Sequence, residues 1–210
     1  MLAGLKSISE LRTAARASLK GNWGKSILAV VTFVIISAII ASVGSFKGIG
    51  WVLELLYFVL VGSWVSGILA YFLKLVRNES PSLRLLFSQL PRLFAFFKLY
   101  FLVALYTFLW TLLLIIPGII ASFRYSLSFY IMIDNPEMTA TEVINRSKAM
   151  MQGHKMKYFL LFLSFIGWYL LSIVTIGIGF IWLIPYVYAT QASFYEDLRL
   201  AYEEQQERLS

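Results

Sequence analysis

Leu112-Leu113-Leu114-Ile115-Ile116-Pro117-Gly118-Ile119-Ile120-Ala121-Ser122 is the stretch on which the fold turns. It lies inside an apolar run from Leu99 to Ile133, and one unbroken helix over that run would be about 52 Å long. The hydrocarbon core of a bilayer is about 30 Å thick and takes roughly 20 helical residues, so a single crossing cannot hold it. Two segments folded back on each other can. A Pro-Gly pair is strong turn punctuation, which places the reversal at Pro117 and Gly118.

The same reading extends outward. Gly177 and Gly179, in Thr175-Ile176-Gly177-Ile178-Gly179, interrupt the apolar run from Tyr158 to Phe194, and Gly44 to Gly50 separates two more blocks. Six blocks result: Ser26 to Val43, Trp51 to Leu73, Leu99 to Ile116, Ile119 to Ile133, Tyr158 to Ile176 and Gly179 to Phe194. They pair into three helical hairpins, with the fourth and sixth blocks open to a re-entrant or half-buried alternative. Composition agrees, since 60% of the 210 residues are hydrophobic and 14% charged. Soluble domains run at about 45–50% apolar and about 25% charged. The predicted fold is all-α: a polytopic membrane protein and a single membrane domain over 1–210.

Lysine and arginine positions give the orientation. With six spans and an inner N-terminus, sixteen of the eighteen basic residues fall on the cytoplasmic side; Lys47 lies in an outer loop and Arg124 within a span. The expected segments are a cytoplasmic helix (1–25), hairpin one (26–73), a linker helix (74–98), hairpin two (99–133), a second cytoplasmic helix (134–157), hairpin three (158–195) and an acidic tail (196–210). Both termini are then cytoplasmic, and the first span stays attached rather than being cleaved as a signal peptide. The tail carries Glu196, Asp197, Glu203, Glu204 and Glu207 against two arginines. It either stays solvated or docks on Arg12, Arg16 and Lys20 or on a partner.

A weak repeat precedes the hairpins. Ser7-Ile8-Ser9-Glu10 and Thr139-Ala140-Thr141-Glu142 both fit capping boxes, and Gly21 and Gly153 end the two helices at the same distance from their caps. Ser82 to Leu90 is a shorter third candidate. Such amphipathic helices either lie on anionic headgroups or connect hairpins by packing on the protein's own spans. On the first alternative, Arg12, Arg16, Lys20, Trp23, Lys25, His154, Lys155 and Lys157 are the headgroup contacts.

Catalytic chemistry finds no support. There is no cysteine, and His154 is the single histidine, which removes His- and Cys-based metal sites. It reads as a headgroup-level contact or a helix C-terminal cation, with a proton-transfer role as the minority alternative. No nucleotide-binding or nucleophile-elbow pattern occurs, so no catalytic residue, cofactor site or metal site is assigned, and no nucleic-acid partner. Glu54 and Arg124 are the two charges within the blocks; both fall in the outer half of the membrane on this register, where they can pair, snorkel separately or contact a headgroup. Gly62, Ser63, Ser66 and Gly67, with Ser37, Ala38 and Ala41, predict close helix packing, with a homodimer face as the alternative. Trp110, Trp168, Trp182, Tyr186 and Tyr188 read as packing and interface anchors.

Several ordered motifs carry a resemblance: Ser9-Glu10-Leu11, Leu19-Lys20-Gly21-Asn22-Trp23-Gly24-Lys25, Ile116-Pro117-Gly118-Ile119, Asp134-Asn135-Pro136-Glu137, Gly153-His154-Lys155 and Phe194-Tyr195-Glu196-Asp197-Leu198. Through them the chain resembles the bacterial membrane proteins of domain-of-unknown-function family 975. The Pro-Gly-Ile turn and the Gly-His helix stop are also similar to the membrane domain attached to some glycerophosphodiester phosphodiesterases. That likeness implies a shared hairpin scaffold and carries over no catalytic residue. The expected function is a non-enzymatic scaffold or lipid-interacting protein in the cell membrane, with anionic lipid as partner and a homo-oligomer or another membrane protein as a further one. The alternatives are a small-solute transporter or channel component and, third, an intramembrane enzyme.

Overall fold

The computed structural model describes residues 5–43 and 50–208, and among these every regular element is helical. The helices are α1 (Ile8–Leu19), α2 (Trp23–Val43), α3 (Gly50–Val76), α4 (Leu93–Leu113), α5 (Ile115–Tyr125), α6 (Ser128–Asp134), α7 (Ala140–Met150), α8 (Lys155–Leu163), α9 (Ile166–Val174) and α10 (Phe180–Glu207). Five stretches are long and apolar enough to cross a membrane: Trp23–Ile40, Glu54–Val76, Leu83–Leu113, Ile115–Asp134 and Lys155–Val174. The sixth expected block does not qualify. It is the first half of α10, which runs without interruption through Pro185 to Glu207, so the acidic residues expected in a tail belong to the same helix.

The chain-reversing points lie close to their predicted places but work differently. The break between α4 and α5 is at Leu114, in extended backbone, and Pro117 sits in the first turn of α5. A proline costs little there, because the first-turn N–H groups have no intrahelical partner. Gly118 is a contact residue instead: a Cβ would lie 2.2 Å from Thr111 Oγ1 and 2.8 Å from Thr111 Cα. Gly179 plays the same part between α9 and α10, where a Cβ would lie 2.6 Å from Ser172 Oγ. Gly177, at φ +85°, makes the actual reversal together with Ile176 at φ +53°. Two further breaks appear at Ser126-Leu127 and Ser164-Phe165, splitting the fourth and fifth blocks.

Both capping boxes form. Glu10 N–H donates to Ser7 Oγ at 3.2 Å and Ser7 N–H to Glu10 Oε2 at 2.6 Å. Thr139 and Glu142 repeat the exchange at 3.4 and 2.7 Å. Gly21 and Gly153 stop the two runs at φ +80° and +81°. The third candidate unit is not an α-helix: Leu83–Phe87 and Leu90–Arg92 are 3₁₀ turns, a segment between Pro81 and Pro91 too short to nucleate more. Its Leu86 is fully buried over Gly67, where a Cβ would lie 2.0 Å from the Leu86 carbonyl oxygen.

α3 is the central helix, packed against α2, α4, α6, α10 and α1. Close packing by small residues is realised here, though not within hairpin one: a Cβ at Gly62 would strike the backbone of Phe96 on α4. Between α2 and α3 the contact is instead aromatic and polar, with Phe33 stacked on Trp64 and the Trp64 indole N–H donating to Ser37 Oγ at 2.8 Å. The amphipathic faces of α1 and α7 are used up inside the protein. Leu11, Ala15 and Leu19 are fully buried, as are Val143, Ile144 and Met150 on α7. The apolar faces of both helices thus pack on the chain's own spans. Exposed apolar side chains collect elsewhere, on α2–α3, on the α4–α5 reversal and on α9 with the start of α10.

Candidate functional site

The basic segments gather at one end of the bundle, held by acidic residues that sequence reading assigned to a tail. Arg77, just past α3, grips Asp134 of α6 with two hydrogen bonds, Nη1 to Oδ1 at 2.9 Å and Nη2 to Oδ2 at 2.6 Å. It also donates to Glu196 Oε2 from Nε at 3.0 Å and Nη2 at 2.8 Å. Tyr195 OH donates to Asp134 Oδ2 at 2.8 Å. Arg199 joins Glu196 to Glu203, and Arg146 of α7 lies 3.6 Å from Glu203. Lys157 pairs with Asp197 at 3.6 Å, and Asp197 also accepts the Lys6 N–H at 3.1 Å. The acidic end of α10 thus docks on Arg77, Arg146 and Lys157, not on Arg12, Arg16 and Lys20.

Titration follows this geometry. Burial alone would raise the Glu196 carboxyl, but hydrogen bonds from Arg199 and Arg77 outweigh it and hold it below the glutamate range. Asp197 is pushed up by burial, only partly offset by Lys157 and Lys6. Arg77, Asp134, Asn135, Glu196, Arg199 and Glu203 surround a polar cavity of about 400 Å³. Its charges answer one another, and its effect is to tie α3, α6 and α10 together.

A second cavity has the opposite character. Where α1 crosses α9 and α10, an apolar groove of about 420 Å³ runs from Arg12 and Arg16, past Trp23, Trp168 and Trp182, to Ile178 at the α9–α10 reversal. Arg12 Nε donates to Tyr186 OH at 3.1 Å, and its guanidinium lies 5.1 Å from the Phe165 ring centre and 5.8 Å from that of Tyr186. Arg16 lies 5.8 Å from the Tyr186 ring. These cation–π contacts fix both guanidiniums without neutralising them. Among the described residues neither has a carboxylate within ion-pair distance.

Of the predicted headgroup contacts, Arg12, Arg16 and Trp23 meet in this groove. Lys20 and Lys25 are exposed on the adjoining chain and Lys155 is half-buried, all outside its lining. Lys157 is committed to Asp197. His154 stands at the N-terminal end of α8, and burial and Lys157 hold it below its ordinary value. Glu54 and Arg124 do not come together. Glu54 is exposed near the start of α3, whereas Arg124 ends α5, its carbonyl accepting from Ser147 Oγ of α7 at 2.8 Å. α5 packs on α4, α7 and α8, whereas Glu54 sits on α3, so the two charges lie on helices that are not closely packed together. Among the described residues no group of three or more metal-ligating side chains occurs.

The fold and these two sites define an all-α, polytopic protein whose five apolar helices fit a membrane. The chain belongs to the family described as Protein of unknown function (DUF975), matched over residues 1–121 and again over 111–201. No curated protein and no solved structure matches it.

Proposed function

We propose that the protein is a non-enzymatic membrane protein that binds and organises anionic lipid, with its basic end on the cytoplasmic side. The observation that carries this is the pairing of two unneutralised guanidiniums with an apolar groove. A phosphate-bearing amphiphile matches both ends at once: its anion meets Arg12 and Arg16, and a hydrocarbon chain lies along Trp168, Leu171, Trp182 and Leu183. A solute carrier would want polar groups facing a passage near the membrane midplane. Here Arg77, Asp134, Glu196, Lys157 and Asp197 pair with one another at the basic end.

Native mass spectrometry tests the reading on protein purified with phosphatidylglycerol and phosphatidylethanolamine. The wild type is expected to retain phosphatidylglycerol, Arg16→Gln to retain less, and Arg12→Gln with Arg16→Gln to lose it. Arg84→Gln, an exposed arginine outside the groove, controls for loss of charge. Equal retention in all four proteins overturns the proposal.

A further inference from the structure

α3 and α10 run side by side in the same direction, and two contacts fix their register. Phe72 stacks on Tyr188 with ring centres 5.4 Å apart, and Arg77 Nη2 lies 2.8 Å from Glu196. From the Phe72 level, α3 extends twenty-two residues back to Gly50, a rise of about 33 Å, which suffices for a crossing. From the same level α10 extends eight residues back to Phe180, about 12 Å. The reversal at Thr175-Ile176-Gly177-Ile178 therefore stops about 20 Å short of the far end of α3.

The other arm of this hairpin agrees. Its break falls at Phe165, which meets Tyr186 edge to face with ring centres 5.2 Å apart. Below the break, Tyr158 and Leu161 of α8 are buried in the core, and Tyr158 packs on Phe194. Above it, α9 is nine residues long, about 14 Å, matching the short rise of α10. Side chains on this upper part are exposed on nearly every side, including Trp168, Leu170, Ile173 and Val174. Ile176 at the tip is 94% exposed, and it is an isoleucine in the left-handed region, where water-facing turns ordinarily place Gly or Asn.

We infer that hairpin three is re-entrant: α9 and the first turns of α10 enter one leaflet from the basic end and leave on the same side. Length and composition alone would let Lys155–Val174 cross; the register against α3 leaves no room for it. The occupant of this apolar surface is the acyl region of a single leaflet. Arg12 and Arg16 lie at the base of the hairpin, at the level where α8 hands over to α9. The inference rests on helix register and is independent of what fills the groove.

The chain has no cysteine, so single-cysteine variants need no prior substitution. Ile176→Cys, exposed and unpacked, is treated in right-side-out vesicles and in inside-out vesicles with a membrane-impermeant maleimide. Labelling of Ile176→Cys is expected to be lost from both faces and restored by detergent. A bimane at the same cysteine is expected to be quenched most by a nitroxide deep in the acyl chains. Labelling from the face opposite the basic end, or strongest quenching by a nitroxide in that face's headgroup layer, overturns the inference.

Discussion

Gly67 and Gly153 show how differently two glycines constrain this chain. At Gly67 an added Cβ would lie 2.0 Å from a backbone carbonyl oxygen, of Leu86, which cannot rotate away as a flexible side chain would. Gly67→Ala is expected to cost about 1–3 kcal/mol through displacement of the turn over α3. At Gly153 the space is open and the penalty is the positive φ alone, about 1 kcal/mol. Thermal unfolding in detergent should rank Gly67→Ala below Gly153→Ala, and the reverse order would mean the turn yields readily. Arg77 carries a second prediction at this scale. Arg77→Gln leaves the largely enclosed Asp134 without its main donor and Glu196 with Arg199 alone, and a loss of about 2 kcal/mol is expected. Adding Asp134→Asn should recover part of it. The small residues of α3 were legible as contact points, whereas their partners were not, because Phe96 and Leu86 lie beyond the helix with which hairpin logic pairs them.

At the scale of elements, the two capped helices were legible almost to the residue. Capping boxes and a stop glycine act through local backbone hydrogen bonds, and those depend on a few neighbouring residues. Thr139→Ala is expected to lower stability by about 1 kcal/mol, and Ser7→Ala by a similar amount, since each leaves N-terminal N–H groups without an acceptor. Urea unfolding in mixed micelles measures both, and a neutral Thr139→Ala would show that α7 is held by packing alone. The interior breaks were illegible for the opposite reason. Nothing local at Ser126-Leu127 or Ser164-Phe165 forbids a helix; each break falls where the chain passes between the buried core and an exposed apolar surface. Proline misled in the same way. Pro117 does mark the α4–α5 reversal, but as a tolerated first-turn residue three positions beyond the actual break at Leu114.

For the whole molecule, charge distribution made the gathering of basic segments readable, and it also concealed what holds them together. The acidic residues at the chain's end looked like a solvated tail because their partners, Arg77, Arg146 and Lys157, are distant in sequence. Their role gives the protein a two-part response to acid. Asp197 has a carboxyl raised by burial, so it binds a proton more tightly folded than unfolded and subtracts stability while ionised. As pH falls through that raised value, above the ordinary aspartate range, the cost is relieved. Glu196 has the opposite sign. Its carboxyl is depressed, so it contributes stability that is fully present above its unfolded value and is lost as pH falls through its folded one, below the ordinary glutamate range. In a His154→Gln background, where the histidine held low by burial no longer opposes it, unfolding temperature should therefore rise slightly on mild acidification and then drop. Asp197→Asn should abolish the early rise while keeping the drop. Glu196→Gln should lower stability at neutral pH and flatten the drop. A smooth decline from neutral pH, unchanged in Asp197→Asn, would show that burial does not outweigh Lys157 and Lys6 at that carboxyl.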